Sequence, residues 1–355
     1  MNWKRQTAML CFLYVIGILG YAQSHTPNTY VAYQAIDSIT VDGTAKEATW
    51  KNAVWSADFI DIEGTKIPKY KTQMKIAWDL HHLYIYAQMK EPHVWGDITK
   101  REAVVFHNND FEVFIDPDGD GHTYYEIEVN ALNTIWDLFI TKPYREDNSI
   151  LSDWNANGMK TAVAINGTLN NASDIDQGWS VEMAIPLRVF KKSYYQKINL
   201  KDQYWRLNFS RVNWDHDLVS GKYQRKKINN KLQPEYNWVW SPQGVINMHE
   251  PEKWGYVFFA EKKEPQRSFE IPADEKIKWK LFEYYRNQKD FYKKHKKWAT
   301  FLKEIGHEEF VIENTTITPV LETHSQGWNL IVISPFTERQ LCIREDGKYT
   351  TKSLK

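Results

Sequence analysis

The sequence predicts a mainly β protein: an antiparallel β-sandwich of immunoglobulin-like jelly-roll type, followed by a long helix and a small β-meander. Three observations carry that expectation. From about Tyr30 to Ala260 the chain runs in short segments of alternating hydrophobicity, separated by turn residues and without a long helical period. Sixteen Trp and twenty Tyr among 355 residues exceed what an ordinary core takes up. Such residues suit both a sandwich interior and flat contact with sugar rings. After Glu261 the composition turns to Lys, Glu and Gln, with large apolar residues near helical spacing.

The first element is not part of the fold. Lys4 and Arg5 precede an apolar run from Ala8 to Gly20, and Gly20-Tyr21-Ala22 offers small residues where a signal peptidase cuts. Residues 1–22 therefore read as a cleaved export signal, too short for a comfortable membrane span, with an uncleaved anchor as the alternative. The mature chain is expected in the periplasm, at the cell surface or outside the cell, with no membrane span. It then keeps a single cysteine, Cys342, so its core must hold it without an internal disulfide. The 45 basic residues balance the 45 acidic ones, which gives no ground for a nucleic-acid partner.

Within residues 34–260 the strands follow in order. Residues 74–78 alternate, 79–82 turn, and 83–89 alternate again. Residues 111–115 run into Asp116-Pro-Asp-Gly-Asp-Gly121, a strong turn signal, and 125–129 return. Further strands are expected at 134–141, 179–185, 205–213 and 255–260. The remaining unit, 261–355, begins with one amphipathic helix over 274–304, carrying Trp279, Phe282, Tyr285, Phe291, Trp298 and Leu302. Three short strands follow at 315–322, 328–334 and 340–344. No chemistry is legible in this appendix.

The hairpin across residues 116–121 carries the polar signal. Matching apolar faces sets Val113 opposite Tyr125 and Phe111 opposite Ile127. The other face then sets Phe114 against Tyr124 and Glu112 against Glu126, with Asp110 and Glu128 beside them. Opposed like charges destabilise a sheet, so the cluster needs partner cations, a bound metal or a polar ligand. Asp137, Glu182, Asn208, Ser210 and Arg206 extend the same kind of surface on other strands, between aromatics, as a sugar platform would. Carboxylates two residues apart on a strand are about 6.6 Å apart, which also meets the spacing of an inverting glycoside hydrolase. Asp116, Asp118 and Asp120 place hard oxygens at alternate positions, as at the start of a calcium loop. Position 12 of such a loop is Ile127, however, so a structural calcium and a plain hairpin turn both stand as readings. No other cofactor is required. Nucleophile-elbow, zinc and phosphate-loop motifs are absent.

Seven segments, taken together and in order, resemble the family 9 carbohydrate-binding modules, which share a fold with DOMON domains. They are Val41-Asp-Gly43 with Glu47 and Trp50; Ala77-Trp-Asp79 with Leu83-Tyr-Ile85; Asn109-Asp-Phe-Glu-Val-Phe-Ile-Asp116; Gly178-Trp-Ser-Val-Glu-Met-Ala-Ile-Pro186; Arg206-Leu-Asn-Phe-Ser-Arg211; Trp240-Ser-Pro242; and Trp254-Gly-Tyr256. The resemblance implies a non-catalytic module that clamps a poly- or oligosaccharide between two aromatic rings, often beside enzymes that degrade plant-type polysaccharides. It puts the first ring on Phe106, six residues before Glu112. Glu112, Glu128 and Ser210, with Arg206 or Arg211, would meet the sugar hydroxyls. The second ring position falls on Asn247-Met248-His249, with Trp95, His107, Trp136 or Trp154 as substitutes. DOMON relatives also imply haem held by Met and His, for which Met183, Met248 and His249 are the residues at hand.

Overall fold

A computed structural model describes residues 26–147, 150–263 and 267–354, so the expected export signal at 1–22 lies outside the described residues. The described chain is mainly β, and thirteen of its strands form one sheet that curls over on itself. From edge to edge its path runs Ile150–Leu151, Ile135–Ile140, Tyr124–Asn130, Asp110–Asp116, Tyr204–Asn213 and Gly255–Ala260. It continues through Thr29–Gln34, Thr72–Trp78, His82–Met89, Gly178–Pro186 and Lys160–Asn166. The Tyr204–Asn213 strand is where the curl divides. Residues 204–207 pair with Gly255–Ala260, whereas residues 210–213 pair with Tyr236–Val239. The two halves face each other and bury Phe111, Val113, Ile127, Leu207 and Phe209 against Ile76, Ile85, Val181 and Met183.

Thr29–Gln34, a strand the sequence reading did not assign, pairs parallel with both neighbours, and every other pairing among the described strands is antiparallel. A parallel pair needs a long crossover, and here most of the sandwich lies between residues 34 and 255. The hairpin register also departs from the expected one. Glu112 lies opposite Glu128 and Val113 opposite Ile127, two residues from the predicted match. The turn is longer than it reads, because Asp116 accepts hydrogen bonds from the N–H groups of Gly119 and Gly121, both at 2.9 Å. A slip of two preserves which face each side chain occupies.

Glu182 does not join the polar face. It lies in the opposite half of the sheet and accepts from the N–H of Asp42 (2.9 Å), the N–H of Gly43 (3.0 Å) and Trp50 Nε1 (2.7 Å). Gly43 is held at φ +83°, where a Cβ would stand 2.7 Å from the Ala164 nitrogen, so only glycine fits.

The appendix helix is Ala273–His295 and ends well before the expected residue 304. It stops at Lys296 in the left-handed region, where the run 293–297 offers no apolar residue to continue the buried stripe. Six strands follow rather than three: Phe310–Ile312 and Thr315–Ile317 pair as a hairpin, and Val320–His324, Gly327–Ile333, Arg339–Arg344 and Tyr349–Ser353 form a four-stranded sheet. Ile277, Leu281 and Tyr285 pack on Trp328, Leu330 and Ile343 as a second core. No helix among the described residues is long and apolar enough to cross a membrane.

Candidate functional site

Period-two alternation sends Asp110, Glu112 and Phe114 to the face opposite the main core. On that face the ladder aligns Trp136, Glu128, Glu112 and Ser210 as directly opposed neighbours across four strands. The adjoining row is Leu138, Glu126, Phe114 and Asn208, and Asp110 lies opposite Asn130 and Val212. Asp110, Glu112, Glu126 and Glu128 are all buried. Asp110, Glu112 and Glu128 bring one oxygen each within 4.8 Å of one another. Burial pushes the Glu112 carboxyl up to about 7. Burial, reinforced by neighbouring carboxylates, holds Asp110, Glu126 and Glu128 well above the ordinary range. Both Asp110 carboxyl oxygens, Glu126 Oε2, Ser210 Oγ and Trp136 Nε1 lack a hydrogen-bond partner. This face is built to receive polar atoms it does not itself supply.

Aromatic residues border it. Phe106 sits in a short 3₁₀ turn, Val105–His107, tied to the face because its N–H donates to Glu128 Oε2 at 3.0 Å. Trp214 Nε1 donates to the Phe106 carbonyl at 2.7 Å, and the half-buried Phe106 ring stacks on Trp136 with centroids 6.5 Å apart. Phe106, Glu112, Glu128 and Ser210 thus lie together on or beside one face. Met248 is not at the mouth. It is buried beside Phe114 and Trp254, and its carbonyl accepts from Trp254 Nε1 at 2.8 Å. His249 is buried as well, with Nδ1 in a hydrogen bond to Tyr124 Oη at 2.8 Å. Burial pushes its imidazole down to about 3.

The ring that the sequence reading missed is Tyr144. It stacks on His249 with centroids 3.5 Å apart and planes 20° apart, and it is the exposed partner of the two. Its hydroxyl is raised first by burial and then by the charges of Glu126, Glu128 and Glu112. Arg145 anchors this loop by ion pairs to Glu250 (3.0 Å) and Glu252 (3.1 Å). Pro143-Tyr144-Arg145 carries no periodicity that could have announced the position.

A sequence profile described as carbohydrate family 9 binding domain-like matches residues 41–220. The chain belongs to this family. The matched span contains Phe106, Glu112, Glu128, Trp136, Tyr144 and Ser210. Among solved structures, this family 9-like chain is similar to a Bacteroides uniformis protein provisionally described as carbohydrate-binding. That match has 17% identity and a TM-score of 0.49, covering 66% of this chain and 100% of the other. It is also similar to a family 9 carbohydrate-binding module from Caldicellulosiruptor kristjanssonii in complex with cellotriose. There the identity is 14% and the TM-score 0.44, covering 69% of this chain and 100% of the module. The same description, with glucose, fits a further structure at 16% identity and TM-score 0.44, covering 68% and 98%. A comparison with curated protein sequences returns no match.

Several residues expected at the family 9 site serve elsewhere. Arg206 is buried at the sheet's other end, where it donates to the carbonyls of Glu252 (3.0 Å), Trp254 and Gly255 (3.4 Å) and pairs with Glu275 (3.4 Å). Arg211 has the opposite parity to Ser210 and points to the other face. There it pairs with Glu91 at 2.8 Å and lies 4.9 Å from the Trp238 ring centroid. Trp95 is buried and stacked on Tyr223, in the cluster that Phe106 packs against. Trp154 packs on Tyr125 at the core's edge, and His107 is exposed beside Phe106.

Asp116, Asp118 and Asp120 do converge, with one oxygen each within 4.8 Å. Lysines already stand among them. Lys192 Nζ is 2.5 Å from Asp118, Lys348 Nζ is 3.3 Å from Asp120, and Lys278 Nζ donates to the Gly119 carbonyl. Asp116 spends both oxygens on the Gly119 and Gly121 N–H groups. The turn therefore fits ammonium groups better than calcium, which would have to displace them. Because the Asp118–Lys192 pair is largely exposed, Asp118→Asn is expected to cost no more than about 1 kcal/mol in urea unfolding. A much larger loss would show that the turn depends on its full charge.

Proposed function

We propose that this chain is a non-catalytic carbohydrate-binding protein whose ligand lies on the Trp136-Glu128-Glu112-Ser210 row, between Phe106 and Tyr144. The observation that carries the reading is the combination on one face: unpartnered buried polar atoms bordered by two accessible rings. Carboxylates accept from sugar hydroxyls, Ser210 Oγ can donate or accept, and Trp136 Nε1 donates. The rings take the apolar faces of a pyranose.

A hydrolase would hold two carboxyl groups about 5–9.5 Å apart across a scissile bond. Here three carboxyl groups crowd together, with one oxygen each within 4.8 Å, rather than standing as a single acid–base pair. Haem finds no support either, since Met248 and His249 are buried with partners and Met183 lies in the core between the two halves of the sheet. We further place the protein outside the cytoplasm on the strength of residues 1–22. Its role there would be polysaccharide use beside degrading enzymes, as the family resemblance implies.

A glycan array with the purified protein, followed by calorimetry on the best ligand, tests this. Covering one sugar face of roughly 60 Å² is worth about 1.5 kcal/mol. Phe106→Ala and Tyr144→Ala are each expected to weaken binding about tenfold while leaving the melting temperature within a few degrees. If no glycan binds, or if both variants bind as the wild type does, the proposal fails. Release of reducing ends from a bound glycan would convert the reading to a hydrolase.

A further inference from the structure

We propose that Asp110, Glu112 and Glu128, together with Ser210 Oγ, form a site for one calcium-class divalent cation, with open coordination positions that take sugar hydroxyls. The second half of that statement rests on the carbohydrate reading above; the first half does not. Three observations carry it.

The first is geometric. Calcium binds oxygen at 2.3–2.6 Å, so two ligands on opposite sides of one ion are about 5 Å apart. Three carboxylate oxygens within 4.8 Å of one another can share such an ion. The second is the charge around them. The charges acting on these groups are those of other carboxylates: Glu112 and Glu126 on Asp110, and Asp110, Glu112 and Glu126 on Glu128. The lysine-filled turn at residues 116–120 shows the alternative solution in the same hairpin, and among the described residues no lysine or arginine pairs with Asp110, Glu112 or Glu128. Ionised carboxylates taken out of water without a counter-charge cost several kcal/mol each, so a cation or shared protons must be present.

The third observation is independent of the acids. Ser210 is fully buried and lies directly opposite Glu112, and its hydroxyl has no partner at hydrogen-bond distance and angle. A hydroxyl oxygen in that position is a neutral hard ligand. Both Asp110 oxygens are likewise unpartnered. Trp136 lies opposite Glu128 and carries an indole N–H that is also unpartnered.

The test uses the whole chain, stripped with EDTA and returned to metal-free buffer at pH 7.5. Calcium is titrated by calorimetry, and terbium by luminescence excited through the neighbouring Trp136. We expect one saturable site with a dissociation constant between about 10⁻⁶ and 10⁻³ M. Affinity should fall at least tenfold in Asp110→Asn and Glu112→Gln and stay unchanged in Asp118→Asn. The two amide variants remove mutual repulsion at nearly constant volume, and thermal melts in EDTA should show them at least as stable as the wild type. Absence of saturable binding up to 10 mM (roughly ten times the weakest affinity expected), or binding abolished by Asp118→Asn alone, overturns the site.

Glycan binding measured in calcium and in EDTA separates the two claims. At least tenfold weaker binding in EDTA supports the bridge. Equal binding in both overturns the bridge and leaves the carbohydrate reading standing. Calcium bound with no glycan retained overturns the carbohydrate reading and the bridge that rests on it, and leaves the cation site standing. Preferential binding of a glucosamine oligosaccharide in EDTA would mean that the sugar brings its own ammonium, and the metal proposal would fall.

Discussion

Replacing Arg206 with alanine is expected to cost about 3–5 kcal/mol and to loosen the appendix from the sandwich. Arg206 is fully buried on its strand, and its guanidinium joins three backbone carbonyls of residues 252–255 to Glu275 on the helix. The same guanidinium lies 4.0 Å from the Tyr256 ring centroid, and Tyr256 Oη donates to Glu275 at 2.9 Å. Removing one side of such a network leaves the buried Glu275 carboxylate with Lys278, at 3.5 Å, as its cation beside the Tyr204 and Tyr256 hydroxyls, and orphans the carbonyls. Lysine at position 206 should recover only part of the loss, because one ammonium cannot reproduce a planar fork of donors. Calorimetry of the wild type should show one transition, and Arg206→Ala should split it or shift it downward by many degrees. Arg206→Met combined with Glu275→Gln should be much milder than either charge removed alone, since no unpaired ion remains. A loss below about 1 kcal/mol in Arg206→Ala, no more than a surface pair is worth, would mean that the two cores are coupled by other contacts.

Arg206 also shows what the sequence could and could not say. Strands such as residues 111–115 are legible because alternation fixes the face of every side chain, and that much holds even where the hairpin register is off by two. Parity could have separated Arg211 from Ser210, since Arg211 alternates in step with Leu207 and Phe209, which lie in the core. Nothing local could have separated Arg206 from Ser210. They share a parity, and the partner that claims Arg206 is Glu275, 69 residues further on. The aspartate turn is similar. Its three lysines come from residues 192, 278 and 348, and only the folded appendix delivers the last two. Tyr144 is hidden from sequence reading for the same reason. Its place is set by Arg145 meeting Glu250 and Glu252, a contact between distant loops. Patterns along the chain show faces; the occupants of a face are decided by long-range contacts.

One of those long-range contacts makes the protein acid-sensitive. His249 is buried against Tyr124, Tyr144 and Phe114, with Glu126 Oε2 4.0 Å from Nε2 and Arg145 donating to its carbonyl at 3.5 Å. Its folded imidazole titrates at about 3, against about 6.5 when exposed. Between those values the unfolded chain binds the proton and the folded chain does not. Stability from this group is therefore complete above pH 6.5 and is lost progressively as the pH falls toward 3. The full difference is on the order of 5 kcal/mol. Glu126 makes a poor counter-ion for the charged imidazole, because burial and the Glu112 charge hold its carboxyl far above the ordinary range. By the same linkage the raised carboxyls of Asp110, Glu112, Glu126 and Glu128 gain stability as the pH falls, so the His249 contribution is read as the difference from a variant that cannot charge. Arg145 adds repulsion rather than relief. Urea unfolding at pH 7 and pH 4 should show the wild type losing roughly 3 kcal/mol through this residue. His249→Gln, which keeps an acceptor for Tyr124 Oη and cannot charge, should lose correspondingly less over the same interval. If the two proteins lose stability in parallel, the imidazole is not the group that yields. The same variant should retain glycan binding to the extent that the introduced amide still supports the Tyr144 ring. Weakened binding with intact stability would assign His249 a positioning role at the site.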